Sequence, residues 1–202
     1  MIYLVRHGQT EFNRLGRYQG RVDSPLTDLG VAQATAVGAQ LRDLAAVSPG
    51  GWTIATSPLG RALRTADIIA GIMGLPAPLV EPRLIEVSYG ELEGLTRPEI
   101  DQRWPELAAR ESAFGHAPGG ETMEHLLERV RGWLGDVRAT SAAPLVAVSH
   151  ASFGRALRGV YAGLPVDEMR RLDRPQDAIF RLSAGRIERI DCPPLPSVPA
   201  GG

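Results

Sequence analysis

The sequence predicts a three-layer α/β/α sandwich: a mainly parallel central sheet flanked by helices, with an inserted helical cap segment at about 83–140. Three observations carry that prediction. Short apolar runs rich in β-branched residues recur at the start of the chain, at 52–56 and at 144–149. Each is followed, directly or after a loop, by a pattern of helical period. Strands that alternate with helices in this way form parallel sheets covered on both faces. The last stretch breaks the alternation: Ala178 to Leu182 and Arg186 to Ile190, joined by Ser183-Ala184-Gly185, read as a closing hairpin. At 202 residues the chain is one ordinary α/β domain, placed at 1–191 and large enough to bury most of its apolar surface.

The elements follow in order. The apolar start up to Val5 is the first strand, and the loop 14–26 holds Gly16, Gly20 and Pro25. Thr27 can cap a helix whose apolar positions Ala34, Val37, Leu41 and Leu44 share one face. Strand 52–56 leads into helix 59–73, which Gly74 and Pro76 end. Leu79 to Tyr89 reads as extended, and 95–120 as polar with short helical pieces around Trp104 and Pro105. Helix 122–138 has the clearest stripe, Met123, Leu126, Leu127, Val130, Trp133, Leu134 and Val137, with His125 on its solvent side. Strand 144–149 and helix 151–163 complete the parallel unit, and the proline-rich stretch 192–202 is expected to be disordered.

Chemistry concentrates at the carboxyl ends of the strands, where ligands bind in open parallel sheets. His7 leaves the first strand between Arg6 and Gly8. An imidazole is partly uncharged at neutral pH and can act as a nucleophile. An adjacent guanidinium can hold two anion oxygens in a fork, and a glycine lets a ligand approach the backbone. His150 ends the strand 144–149, so the two histidines can meet. Arg61 sits near the start of helix 59–73, where backbone N–H groups attract anions and Pro58 suits the first turn. Glu86 lies in an apolar stretch that would keep a proton on it, with Glu91 and Glu93 as nearby competitors. This set suits phosphoryl transfer, in which charge on the equatorial oxygens must be held and stabilised. No HExxH or Cys/His cluster marks a metal site. For His7 to attack, its other nitrogen should be fixed by a hydrogen bond to a backbone carbonyl.

Six stretches in order, LVRHGQTEFN at 4–13, QGRVDSPLTDLG at 19–30, SPLGRALRTA at 57–66, LIEVSYGELEG at 84–94, PGGET at 118–122 and VSHASFGRAL at 148–157, resemble the histidine phosphatase superfamily. That family contains the cofactor-dependent phosphoglycerate mutases and many small phosphatases, and the resemblance covers roughly 1–163. It implies that His7 becomes phosphohistidine, that Arg6, Arg61 and His150 surround the phosphoryl oxygens, and that Glu86 protonates the leaving oxygen. It also implies that Asn13 helps bind the phosphate and that Gln19, Gly20, Tyr89 and Arg97 line the substrate pocket. Ala151 stands where the family usually has glycine; its amide can still donate to phosphate. The resembling mutases carry an arginine just after the catalytic glutamate, where this chain has Val87. They also carry a basic pair in a longer insertion, to which Arg110-Glu111 is the nearest approach. Arg97 matches a basic position that mutases use for the substrate carboxylate, whereas the loop QGRVDSPLT is closer to the small phosphatases.

The resemblance therefore implies a metal-independent phosphatase acting on a small phosphorylated metabolite, with no cofactor. The alternative is a phosphoglycerate mutase working through 2,3-bisphosphoglycerate. A third reading, a non-catalytic sensor of a phosphorylated ligand, would usually have lost one of His7, Arg6, Arg61, Glu86 or His150.

A net charge of −1 gives no general polyanion-binding surface, so no nucleic acid partner is expected. The single cysteine, Cys192, allows no disulfide framework and suits a reducing cytoplasm. The apolar start breaks at Arg6 with no basic region before it, and no stretch is long enough to span a bilayer. A cytoplasmic protein with a small phosphorylated substrate and no membrane partner is expected. His116 is either an ordinary loop residue or part of the pocket mouth, and Arg64 is expected in an ion pair on a helix surface.

Overall fold

A computed structural model describes residues 1–48, 50–108, 117–140 and 143–193. Its strands are β1 (Ile2–Arg6), β2 (Thr53–Thr56), β3 (Leu79–Val80), β4 (Leu145–Ser149), β5 (Ala178–Ser183) and β6 (Arg186–Asp191), in one sheet of order β3-β2-β4-β1-β5-β6. The first four are parallel, β5 runs antiparallel to β1, and β6 antiparallel to β5. The helices are α1 (Glu11–Arg14), α2 (Asp28–Val47), α3 (Gly60–Met73), α4 (Arg97–Arg103), α5 (Pro105–Ala108), α6 (Met123–Thr140), α7 (Ala151–Ala162) and α8 (Val166–Arg171).

Side-chain alternation explains the three layers. Ile2 and Leu4 of β1 join the core beneath α6 and α7, and Tyr3 and Val5 join the core beneath α2 and α3. In β4, Leu145 and Ala147 face the first core, Val146 and Val148 the second. A strand buried on both faces must be apolar throughout rather than alternating, which is why these runs stand out. Of the α6 stripe, Leu126, Leu127, Val130, Trp133 and Leu134 are buried, while His125 is exposed. Thr27 caps α2 as expected, its hydroxyl accepting from the Gly30 amide at 3.1 Å.

Four expectations change. Leu79 to Tyr89 is not one extended run: only Leu79–Val80 pairs, at the sheet edge, and short 3-10 turns follow at Pro82–Leu84 and Gly90–Leu92. Pro82 opens the first turn, and the Glu81 side chain caps it by accepting from the Arg83 amide at 3.0 Å. The sequence reading also lacks α1 and α8. Cys192 is no tail residue: it is buried, and its amide donates to the Asp177 carbonyl at 2.7 Å. Burial pushes its thiol up to about 11, which leaves it a poor nucleophile. Arg64 is exposed, and no carboxylate of the described residues lies within ion-pair distance of it. The stretch 194–202, His116, Arg110 and Glu111 lie outside the described residues. Among the described residues no helix is long and apolar enough to cross a membrane.

Candidate active site

The carboxyl ends of β1 and β4 floor a cavity of about 370 Å³. Arg6 and His7 reach it from the end of β1, Arg61 from the start of α3, and Ala151 and Ser152 from the start of α7. Asn13, Gln19, Gly20, Glu86, Tyr89, Arg174 and Gln176 complete most of the wall from loops and from α1.

His7 is pinned in backbone and ring. Its amide continues the β1–β4 ladder to the Ser149 carbonyl at 2.9 Å, and the Gly8 amide donates to Thr65 Oγ1 at 3.1 Å. The ring Nδ1 lies 2.8 Å from the Gly8 carbonyl, and Nε2 lies 3.2 Å from Arg61 Nε. A guanidinium only donates. Nε2 must therefore carry the lone pair and Nδ1 the proton, which is the orientation a nucleophilic imidazole requires. Gly8 also has a packing reason that the sequence did not show. A Cβ there would stand 2.2 Å from the Gly30 carbonyl oxygen, so the glycine serves the packing of this turn on α2.

Arg61 is almost wholly buried. Its guanidinium donates to the carbonyls of Gly20 (2.7 Å) and Val22 (2.9 Å) and to Asp23 Oδ1 (3.2 Å). Arg6 donates to the Arg174 carbonyl through one terminal nitrogen, while its Nε is buried without a partner. The His150 ring lies 5.1 Å from that of His7, centroid to centroid. Its Nε2 is 2.7 Å from Ser57 Oγ, and its buried Nδ1 has no partner. His150 lines a smaller neighbouring cavity with Leu4 and Phe180 rather than the large one.

Burial, then repulsion by Arg61 and Arg6, holds His7 well below the ordinary imidazole value. His150 is lowered for the same reasons, with His7 adding to the repulsion. Both rings are therefore neutral at pH 7. Burial and the neighbouring Arg174 bring Arg6 down to about 10, so it stays charged. The result is a buried neutral imidazole between two cations, with two orphaned nitrogens close by.

Glu86 is buried as expected, but its surroundings are less apolar than the sequence suggested. Oε1 accepts from the amides of Val87 (2.9 Å) and Phe153 (3.1 Å), and Oε2 from that of Ser152 (3.1 Å). The carboxyl thus caps the positive end of α7. Among the described residues the Ala151 amide, the remaining one of that first turn, has no acceptor. Arg129 supports the segment from behind, donating to the carbonyls of Arg83 and Ile85 at 2.7 Å each while paired with Glu121. The competitors do not line the cavity. Glu91 is exposed, and Glu93 Oε1 ties two loops together by accepting from the Tyr89 and Arg21 amides. That oxygen would stand 2.2 Å from a Cβ at position 20, where φ is +53°, so only glycine fits.

Asn13 Oδ1 accepts from the Thr10 amide (3.2 Å) and from Gln176 Nε2 (2.9 Å), which turns the amide nitrogen of Asn13 outward as a free donor. Gln19 bonds Thr10 Oγ1, and Tyr89 OH lies 2.9 Å from Ser152 Oγ. Arg97 is not on the cavity wall: it pairs with Asp101 at 2.6 Å and donates to the Leu107 carbonyl at 3.1 Å. Arg174, Gln176 and Ser152 line the cavity without having been anticipated. Arg174 and Gln176 sit in an unremarkable loop before β5. Only the pairing of Val5 with Ile179, which sets β5 antiparallel to β1, brings that loop to the carboxyl end of β1.

Residues 2–187 match the family model described as histidine phosphatase superfamily (branch 1). A Photorhabdus laumondii protein named "Probable phosphoglycerate mutase GpmB" is 36% identical over 216 residues, covering 96% of either chain. The solved structure of a mycobacterial glucosyl-3-phosphoglycerate phosphatase with VO3 is 31% identical, with a TM-score of 0.77 over 94% of this chain and 96% of that one. The alpha-ribazole phosphatase of Shigella flexneri is 25% identical, with a TM-score of 0.76 over 95% of each chain.

Proposed function

The chain belongs to the histidine phosphatase superfamily, and from that premise we propose that it hydrolyses a small phosphorylated metabolite through a phosphohistidine on His7, without a metal ion. One observation carries the reading: the His7 Nε2 lone pair, fixed by the Gly8 carbonyl on the opposite nitrogen, lies against a buried guanidinium. Nε2 attacks phosphorus while the ester P–O bond breaks, and the leaving oxygen takes a proton from Glu86. A water then gives that proton back to Glu86 and attacks phosphorus, the P–N bond breaks, and inorganic phosphate leaves His7 as it was. Arg6, Arg61, His150 and the Ala151 amide hold the phosphoryl oxygens through both steps, and their charge and dipoles do the work a metal does elsewhere. The orphaned Nε of Arg6, a residue of the cavity wall, supports this role, since a phosphoryl oxygen would satisfy it. Asn13 contributes a further donor, and Gln19, Gly20 and Tyr89 shape the wall. Arg97, held by Asp101, is left out of the binding set. The single cysteine, buried, supports a cytoplasmic setting.

A mutase reading is favoured by the name of the Photorhabdus relative. Against it, Val87 is 1% exposed and packed in the core, where the resembling mutases have an arginine. Phosphorus NMR of the protein with 3-phosphoglycerate and a trace of 2,3-bisphosphoglycerate separates the two. Inorganic phosphate alone supports a phosphatase; a growing 2-phosphoglycerate signal makes the protein a mutase. If neither forms, phosphoglycerate is excluded as substrate, and a panel of sugar phosphates is the next test.

A further inference from the structure

We infer that Arg174 forms a second anion subsite beside the phosphoryl pocket, so that the substrate is a phosphate ester carrying a further carboxylate or phosphate group. The inference rests on the proposed function and goes beyond it by assigning a substrate class.

Charge on the cavity wall is unbalanced. Four arginines line it, Arg6, Arg17, Arg61 and Arg174, against a single acidic residue, Glu86. Arg17 is paired with Glu99 and the Gly94 carbonyl, and Arg61 with Asp23. Arg6 and Arg61 flank His7 and are used up by the phosphoryl dianion. Arg174 remains. It is exposed and lines the cavity, and among the described residues its guanidinium has neither a hydrogen bond nor an ion pair. Its neighbour Asp173 cannot neutralise it, because Oδ1 is taken by Arg158 at 2.6 Å and Oδ2 by Arg189 at 2.5 Å.

The surroundings make the position worse for a lone cation and better for an anion. Next to burial, Arg174 is the leading cause that lowers both Arg6 and Arg155. Arg155 itself is half-buried and holds the Leu172 carbonyl at 2.6 Å. Uncompensated like charges of this kind are relieved by a ligand of opposite sign.

The backbone at this position is anchored. Arg6 holds the Arg174 carbonyl, Pro175 confines the Arg174 backbone to extended geometry, and Gln176 is latched to the His7 carbonyl at 3.2 Å and to Asn13 at 2.9 Å. The loop that carries this guanidinium is thus tied to the floor that holds His7, within side-chain reach of a substrate bound there. Arg97, the basic position that the sequence suggested for a substrate carboxylate, is turned to Asp101 instead.

Calorimetric binding of three non-hydrolysable ligands, propylphosphonate, 3-phosphonopropionate and propane-1,3-diphosphonate, to the wild-type protein and to Arg174→Gln tests this directly. The wild type should bind one or both of the doubly anionic ligands about tenfold more tightly than propylphosphonate, as expected for one charge-assisted pair at a partly solvated site. A preference for 3-phosphonopropionate assigns a carboxylate; a preference for the diphosphonate assigns a second phosphate. Arg174→Gln should remove the preference and leave propylphosphonate binding within about twofold. Equal weakening of all three by the substitution, or no preference in the wild type, overturns the subsite while leaving the phosphoryl pocket intact. Failure of the wild type to bind any of them overturns the proposed function as well.

Discussion

Arg61 Nε donates to His7 Nε2 across 3.2 Å, so the nitrogen that carries the lone pair is held by a buried cation. That contact fixes the tautomer and disfavours a proton on Nε2 by repulsion. On the proposed reading, an arriving oxyanion would take over that guanidinium's hydrogen bond and leave the lone pair free to attack phosphorus.

Arg61→Met keeps much of the stem and removes the fork. It should lower kcat/KM by about 10²–10³, in line with the loss of a preorganised donor. Stability should also fall, by about 1–3 kcal/mol in urea unfolding, because the buried Gly20 carbonyl loses its donor. A normal rate in this variant would remove Arg61 from the phosphoryl site.

Glu86→Gln separates proton donation from binding. Alkyl phosphates should slow by about 10²–10⁴, the usual range for a lost general acid, and p-nitrophenyl phosphate by less than about tenfold, since nitrophenolate leaves without a proton. Equal losses on both would assign Glu86 to anchoring α7 through the Ser152 and Phe153 amides.

Gly8→Ala tests the packing role of the glycine. The added methyl would meet the Gly30 carbonyl oxygen at 2.2 Å, and backbone cannot move aside cheaply. A loss of about 2 kcal/mol or more in thermal or urea unfolding is expected, with kcat reduced because the His7 turn shifts. Unchanged stability would contradict the close approach.

Acid should destabilise the unliganded protein. His7 and His150 both lie well below their unfolded value of about 6.5. Above that value they are neutral in either state and contribute no slope. As pH falls through about 6.5 the unfolded chain takes up protons that the folded one refuses, so stability drops, by up to about 1.4 kcal/mol per pH unit for each ring. Urea unfolding at pH 7.5 and 5.5 measures this, and His150→Gln should shrink the difference by one ring's share. The acid limb of kcat/KM, for the same reason, should not show His7 protonation near 6.5.

The parallel core was legible because β1 and β4 are buried on both faces and must be apolar throughout, a pattern that only that position explains. The His7, Arg61 and His150 placements were legible for a related reason: each sits at a strand or helix end that local sequence defines. Leu79 to Tyr89 was not, because two 3-10 turns carry no periodicity long enough to read. Arg174 and Gln176 were hidden more deeply. They reach the site only through β5 pairing with β1, a contact between residues distant in the chain, and nothing within ten residues of either announces it. Arg97 failed in the opposite sense: its chain position matched, and an acid one helical turn on, Asp101, took the side chain.

The most direct measurement is a rapid quench of the protein during turnover of p-nitrophenyl phosphate, into alkali, followed by peptide mass spectrometry. One acid-labile, alkali-stable phosphoryl group is expected on the peptide carrying His7, absent from His7→Ala, which should also lose turnover. Turnover without that adduct, or an adduct that persists in His7→Ala, would contradict a phosphohistidine on His7.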